Sequence, residues 1–131
     1  MNSSQKFDLE ERLVQFAVKI TDLVESLPKT VWGKYLSGQL IRSGLSPALN
    51  YGEARSAESS NDFIHKMKIA LKELRETFIS LQIIKRKHFQ KVDEITKECI
   101  IECNELISIF VKSIQTAERN KFKNHSDFKN R

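Results

Sequence analysis

The sequence predicts an all-α fold: an antiparallel, up-down-up-down four-helix bundle whose second helix is kinked near Pro47. Apolar residues recur every three or four positions in four separate stretches, the period of an amphipathic helix. The chain holds only four Gly and two Pro in 131 residues, well below the roughly 12% of average usage. So little punctuation leaves few turns and argues against a β-sandwich or barrel. The gaps between the four stretches are short, and short connections make consecutive helices antiparallel neighbours.

The first segment runs from about residue 7 to 27, with Leu9, Leu13, Phe16, Ile20, Leu23 and Leu27 as its stripe, and Pro28 stops it. The second runs from about 31 to 58. Leu36 and Leu40 open a stripe that continues through Ser43, Gly44, Pro47, Tyr51 and Ala54. Pro47 removes one helical hydrogen bond and presses on the preceding turn. Because the period survives it, a kink over residues 43–47 is expected rather than a stop. The small residues Gly38, Ser43, Gly44, Ala48 and Gly52 suit close approach of another helix.

The third segment, about 60 to 86, opens with the N-cap candidates Ser59, Ser60 and Asn61 and with Asp62 at the positive end of the helix dipole. Phe63, Met67, Ala70, Leu74, Phe78 and Leu81 form its stripe. The fourth, about 89 to 117, carries Val92, Ile95, Cys99, Cys103, Leu106, Phe110, Ile114 and Ala117. Residues 1–117 are expected to form the bundle and residues 118–131, where the period is lost, a basic disordered tail. Both later segments are more apolar than one stripe requires. Ile64, Ile69, Leu71, Ile79, Ile83 and Ile84 on the third, and Ile100, Ile101, Ile107, Ile109 and Val111 on the fourth, suggest a second face for self-association. A wide core stripe is the alternative.

Little supports catalysis. His65, His88 and His125 are scattered, no Glu-x-x-His pair suggests a di-iron site, and no Gly-rich phosphate cradle occurs. Cys99 and Cys103 read as small core hydrophobes. Neither a metal nor a cofactor is expected. The N-terminal stretch lacks the apolar core of a secretory signal and no run is long enough to cross a membrane, so a cytoplasmic location without membrane contact is expected.

One polar stripe stands out. Arg42, Ser46, Asn50 and Glu53, spaced 4, 4 and 3, share a face beside Pro47. The proline leaves the Ser43 carbonyl without its usual donor, a role open to a nearby Asn or Arg. Arg42 and Glu53 are too far apart to pair, so each is expected to reach a facing helix, with Glu73, Arg75 and Glu76 as candidates. Arg42, Ser46, Asn50, Glu53 and Glu76 thus read as a partly buried structural network, with a ligand site as the lesser alternative. Breaking half of a buried network would cost ~3–5 kcal/mol.

The net charge is +5, and the excess lies after residue 58. Lys68, Lys72 and Arg75 mark the third segment. The turn after it carries Lys85, Arg86, Lys87 and Lys91 without an acid, and the tail adds Arg119, Lys121 and Lys123 among phenylalanines. Cations with interleaved aromatics suit phosphate contact and base stacking. A solvated face is the bland alternative.

The stretch Gln39-Leu40-Ile41-Arg42-Ser43-Gly44-Leu45-Ser46-Pro47-Ala48-Leu49-Asn50-Tyr51-Gly52-Glu53-Ala54 resembles the signature of bacterial four-helix-bundle proteins encoded in intervening sequences of 23S ribosomal RNA genes. Asp62-Phe63-Ile64, Ile69-Ala70 and Leu74-Arg75-Glu76-Thr77 resemble that family's third helix. The similarity covers about residues 7–117. It implies a left-handed bundle assembling into a ring, typically a homopentamer. It also implies kinship with the accessory variability proteins of retroelements, which bind nucleic acid and a reverse transcriptase. No established enzymatic activity accompanies the family. The basic, phenylalanine-bearing tail departs from its pattern.

The expected function is therefore a non-enzymatic, ring-forming bundle that binds RNA or DNA through basic surfaces, as an accessory to a reverse transcriptase. A structural protein–protein adaptor without nucleic-acid affinity is the alternative, and an enzyme or metal protein the least favoured.

Overall fold

Local signals fix the helix ends. Thr30 Oγ1 accepts from the Gly33 N–H at 3.2 Å, and Ser59 Oγ accepts from the Asp62 N–H at 3.1 Å. Each satisfies one of the donors that a helix start leaves free. The computed structural model describes residues 2–129, with side chains over 9–124. It contains α1 (Asn2–Glu25), α2 (Val31–Arg55), α3 (Ser60–Lys87) and α4 (Asp93–Lys129), with a 3-10 turn over Gln90–Val92. No strand occurs among the described residues. His88 ends α3 in the left-handed region at φ 56°, and Lys85, Arg86 and Lys87 face the negative end of the helix dipole.

The four stripes meet in one core. Phe16, Ile20, Leu23, Leu40, Met67, Leu74, Leu81, Leu106 and Phe110 are fully buried, as are both cysteines. Leu9, Phe63, Phe78, Ile95 and Ala117 pack half-buried at its margin. Cross-helix pairs keep a descending order. Arg12 meets Glu102 and Lys19 meets Glu98 between α1 and α4, while Arg42 meets Glu73 and Glu53 meets Lys66 between α2 and α3. Numbers rise on one helix as they fall on the other, the order antiparallel neighbours produce.

α2 continues through the buried Pro47. Beside it lies a buried hydroxyl pair. Thr77 Oγ1 is 2.9 Å from Ser43 Oγ, whose own proton goes to the Gln39 carbonyl at 2.9 Å. The Glu73 carbonyl lies 2.9 Å from Thr77 Oγ1 as well, so the single threonine proton chooses between two acceptors. Thr96 Oγ1 is buried with no hydrogen-bond partner among the described residues.

Three expectations change. First, α4 does not give way to a disordered tail at residue 118; its backbone is helical to Lys129. No Gly or Pro follows Ala117, so losing the apolar period ends burial without breaking the helix. The side chains of residues 118–124 are exposed, and those of His125 and Phe128 lie outside the described residues. Second, the extra apolar face is thinner than the sequence suggests. Ile64 and Ile84 are buried, and Leu71, Ile100 and Ile107 pack against the core. Each helix meets two neighbours, so its buried arc is wider than one stripe. Ile79, Ile83 and Ile101 stay exposed, joined by Val14, Val18, Ile41 and Leu49 on α1 and α2. Third, among the α2 glycines expected to admit another helix, Gly44 does so against Ile20, while Gly38 and Gly52 have no neighbour within 4 Å of an added Cβ.

Candidate nucleic-acid interface

The expected partly buried network forms only in part: Arg42 reaches Glu73 and Glu76 on α3 as expected, and Glu53 reaches the same helix at Lys66. Arg42, 56% exposed, donates to Glu73 at 3.3 Å, to Glu76 at 3.2 Å and to Gln39 at 2.7 Å. Asn50 Nδ2 donates to Ser46 Oγ at 2.9 Å and to the Ser46 carbonyl at 3.2 Å, so it serves Ser46 rather than Ser43. Glu53 accepts from Lys66 Nζ at 3.0 Å, a bond that raises the lysine's pKa. The five residues thus divide into separate contacts along the rim of the α2–α3 interface, and Glu73, which receives Arg42, is only 13% exposed. Arg75 forms no ion pair among the described residues.

The cysteines offer no reactive site. Burial pushes both thiols up to about 12, and Cys103 Sγ–H donates to the Leu74 carbonyl at 3.3 Å. No cluster of metal-ligating side chains occurs among the described residues, and no described helix is long and apolar enough to cross a membrane.

All ten basic residues singled out in the sequence are exposed, but they do not converge. Lys68, Lys72 and Arg75 line a shallow depression on α3 with Leu71, Glu76 and Ile79. Lys68 also pairs with Glu118 at 3.1 Å. Arg119, Lys121 and Lys123 lie on the last turns of α4, where Lys121 and Phe122 border a cleft with Asn61, Ile64 and His65 from the start of α3. Lys85, Arg86 and Lys87 lie in the last turn of α3, with Lys91 just beyond it; Lys85 is 24 residues from Asn61, or roughly 36 Å at 1.5 Å per residue, and 10 from Arg75.

That second end holds residues the sequence reading missed. Trp32, in the first turn of α2, meets Phe89 edge-on with ring centres 6.4 Å apart. Lys87 Nζ sits over the Trp32 ring at 5.3 Å, a cation–π contact. The α1–α2 connection is thereby joined to the cationic turn, bringing with it Lys29, Val31, Lys34 and Tyr35. Val31 is 91% exposed and Tyr35 65%. Tyr35 is held by its i+4 neighbour, Gln39 Nε2 donating to its hydroxyl at 3.3 Å. The acid-free run Pro28–Gly38 was a visible signal, but its proximity to residues 85–91 was not.

The profile of the family described as 23S rRNA-intervening sequence protein matches residues 5–112. It stops short of the last turns of α4. No curated protein shows significant similarity to the chain. Among solved structures, a protein of unknown function from the S23 ribosomal protein family of Bacteroides thetaiotaomicron is 31% identical, with a TM-score of 0.72. The alignment covers 81% of this chain and 97% of that one. With a profile spanning most of the bundle and a shared fold at that identity, the chain belongs to the 23S rRNA-intervening sequence protein family.

Proposed function

We propose that the chain is a non-enzymatic bundle that self-associates in a ring in the cytoplasm and binds RNA or DNA through its basic surfaces. The α3–α4 turn carries the reading. Lys85, Arg86, Lys87 and Lys91 are exposed, and none forms an ion pair among the described residues. By contrast, Arg12, Lys19, Arg42, Arg55 and Lys66 are all engaged by carboxylates. Cations left free in this way suit phosphates, whose neutralisation releases counterions. A ring repeats one modest patch, so several copies act together on one long ligand.

The test is anisotropy of labelled RNA and DNA, single- and double-stranded, at two salt concentrations. Charge reversal at Lys85, Arg86 and Lys87 is expected to weaken binding similarly for all sequences. It should also lower the salt slope by about one per lost phosphate contact. Unchanged affinity removes the turn from the proposal. Light scattering tests the ring against the 15.2 kDa monomer. Co-purification with a reverse transcriptase tests the accessory role. The exposed pair Ile79 and Ile83 favours a protein adaptor as the second reading, for which no probe binds at physiological salt.

A further inference from the structure

The end of the bundle that joins the α1–α2 connection to the α3–α4 turn has its own chemistry. Residues 28–38 and 85–92 contain Lys29, Lys34, Lys85, Arg86, Lys87 and Lys91 and no acid. The nearest acids along the chain are Glu25, Asp93 and Glu94, and Asp93 is engaged by Lys97 at 3.5 Å. The surface therefore stays positive, and an anionic partner is the complementary one. Within it stands one large aromatic face open to solvent, the Tyr35 ring, held by the hydrogen bond from Gln39.

We propose that this end binds single-stranded RNA or DNA, with phosphates on the cations of both connections and an unpaired base stacked on Tyr35. The inference rests on the nucleic-acid reading above and adds the strandedness and the residues that read it. Duplex bases have no free π-face, whereas each unpaired base offers one, and aromatic stacking is tolerant of sequence. Trp32 does not stack the ligand. It is half-buried between Phe89 and Lys87, and it positions Lys87 through the cation–π contact. An anionic membrane surface is disfavoured by the same arrangement. Membrane anchoring needs a broad apolar face; within residues 28–38 and 85–92 only Val31 is a large exposed aliphatic residue, with Ile83 just before the second stretch, and Trp32 is packed inward.

Trp32 is the only tryptophan of the chain, so its emission reports events at this end. The full chain is titrated with oligo(dT), with the oligo(dT)·oligo(dA) duplex, and with phosphatidylserine-containing vesicles. Anisotropy of the labelled probes and Trp32 emission are read together. Oligo(dT) is expected to bind more tightly than the duplex and to change Trp32 emission. Tyr35→Leu, an exposed position whose folding is checked by circular dichroism, should weaken oligo(dT) binding about fivefold or more and leave the duplex unaffected. Lys29→Glu with Lys34→Glu should weaken both. Unchanged oligo(dT) affinity in Tyr35→Leu overturns the proposal, as does a Trp32 response to vesicles but not to oligo(dT). If charge reversal at Lys85, Arg86 and Lys87 weakens binding while the Tyr35 and Lys29/Lys34 variants do not, this inference falls and the broader reading stands. If no nucleic acid binds the unaltered chain, both fall.

Discussion

Three glycines of α2 allow a controlled test of the packing between α1 and α2. Gly38, Gly44 and Gly52 all have ordinary helical backbone, so alanine at each gains up to about 1 kcal/mol of helix propensity. At Gly38 and Gly52 the new Cβ meets nothing within 4 Å, and the full gain is expected. At Gly44 it would lie 2.9 Å from Ile20 Cγ2 and 3.1 Å from Cγ1, inside the optimal carbon separation of about 3.5–4.0 Å. Ile20 is fully buried and cannot swing away, so α1 must withdraw by roughly 0.5–1 Å to restore contact distance. Overpacking of this kind costs ~1–3 kcal/mol. Offset by the propensity gain, Gly44→Ala should be neutral to about 2 kcal/mol destabilising, and ~1–3 kcal/mol less stable than its two companions.

Urea unfolding followed by far-UV circular dichroism reads the difference. All variants are compared at one protein concentration, because self-association shifts apparent stability. Ile20→Ala removes the two closest atoms that the Gly44 Cβ would strike, leaving Ile20 Cβ at 3.3 Å, and alone costs ~2–5 kcal/mol. Combined with Gly44→Ala it should lose at least about 1 kcal/mol less than the sum of the singles. If Gly44→Ala stabilises as much as Gly38→Ala and Gly52→Ala, or if the double variant is strictly additive, the close approach plays no part.

Arg42→Ala should cost about 1–2 kcal/mol, above the range for a fully solvated pair because it leaves Glu73, only 13% exposed, without its guanidinium; a loss of ~3–5 kcal/mol in the same unfolding assay would show a truly buried network. The thiols, pushed up to about 12 by burial from the ordinary thiol range near 9, stay protonated in the fold while unfolded thiols ionise. Their stabilising effect is thus whole below about pH 9 and declines between pH 9 and 12 as the unfolded state releases protons. Stability measured across that window should fall less steeply in Cys99→Ala/Cys103→Ala, and an unchanged slope contradicts the assignment. Ending the chain at Ala117 should leave the melting temperature within about 4 °C, since the exposed Lys68–Glu118 pair is worth at most ~1 kcal/mol. A larger drop shows that the last turns of α4 stabilise the bundle.

Much of the architecture was legible because it rests on local rules. The 3.6-residue period located all four helices, and Ser59 caps α3 as its hydroxyl and position suggested. The stripe residues form the core. The end of α4 departs from the sequence expectation because lost amphipathicity resembles lost helicity in sequence, although a stretch without Gly or Pro can continue the helix. The polar stripe on α2 reads as one network because its members share a face, and Arg42 does reach Glu73 and Glu76 across to α3. Its division followed from where α3 places Glu73, Glu76 and Lys66.

The candidate site was half visible. The turn Lys85–Lys91 stands out in any charge count, but Trp32 and Tyr35 look like ordinary helix residues until Phe89 and Lys87 are found against Trp32. Period, caps and composition act over a few residues, so the number of helices, their inward faces and the charge carried after residue 58 are legible without the fold. The tertiary structure alone decided which cations find carboxylates, which glycine is crowded, and which distant connections share an end. Those outcomes depend on helix register, and register is set by the whole core closing at once rather than by any one segment.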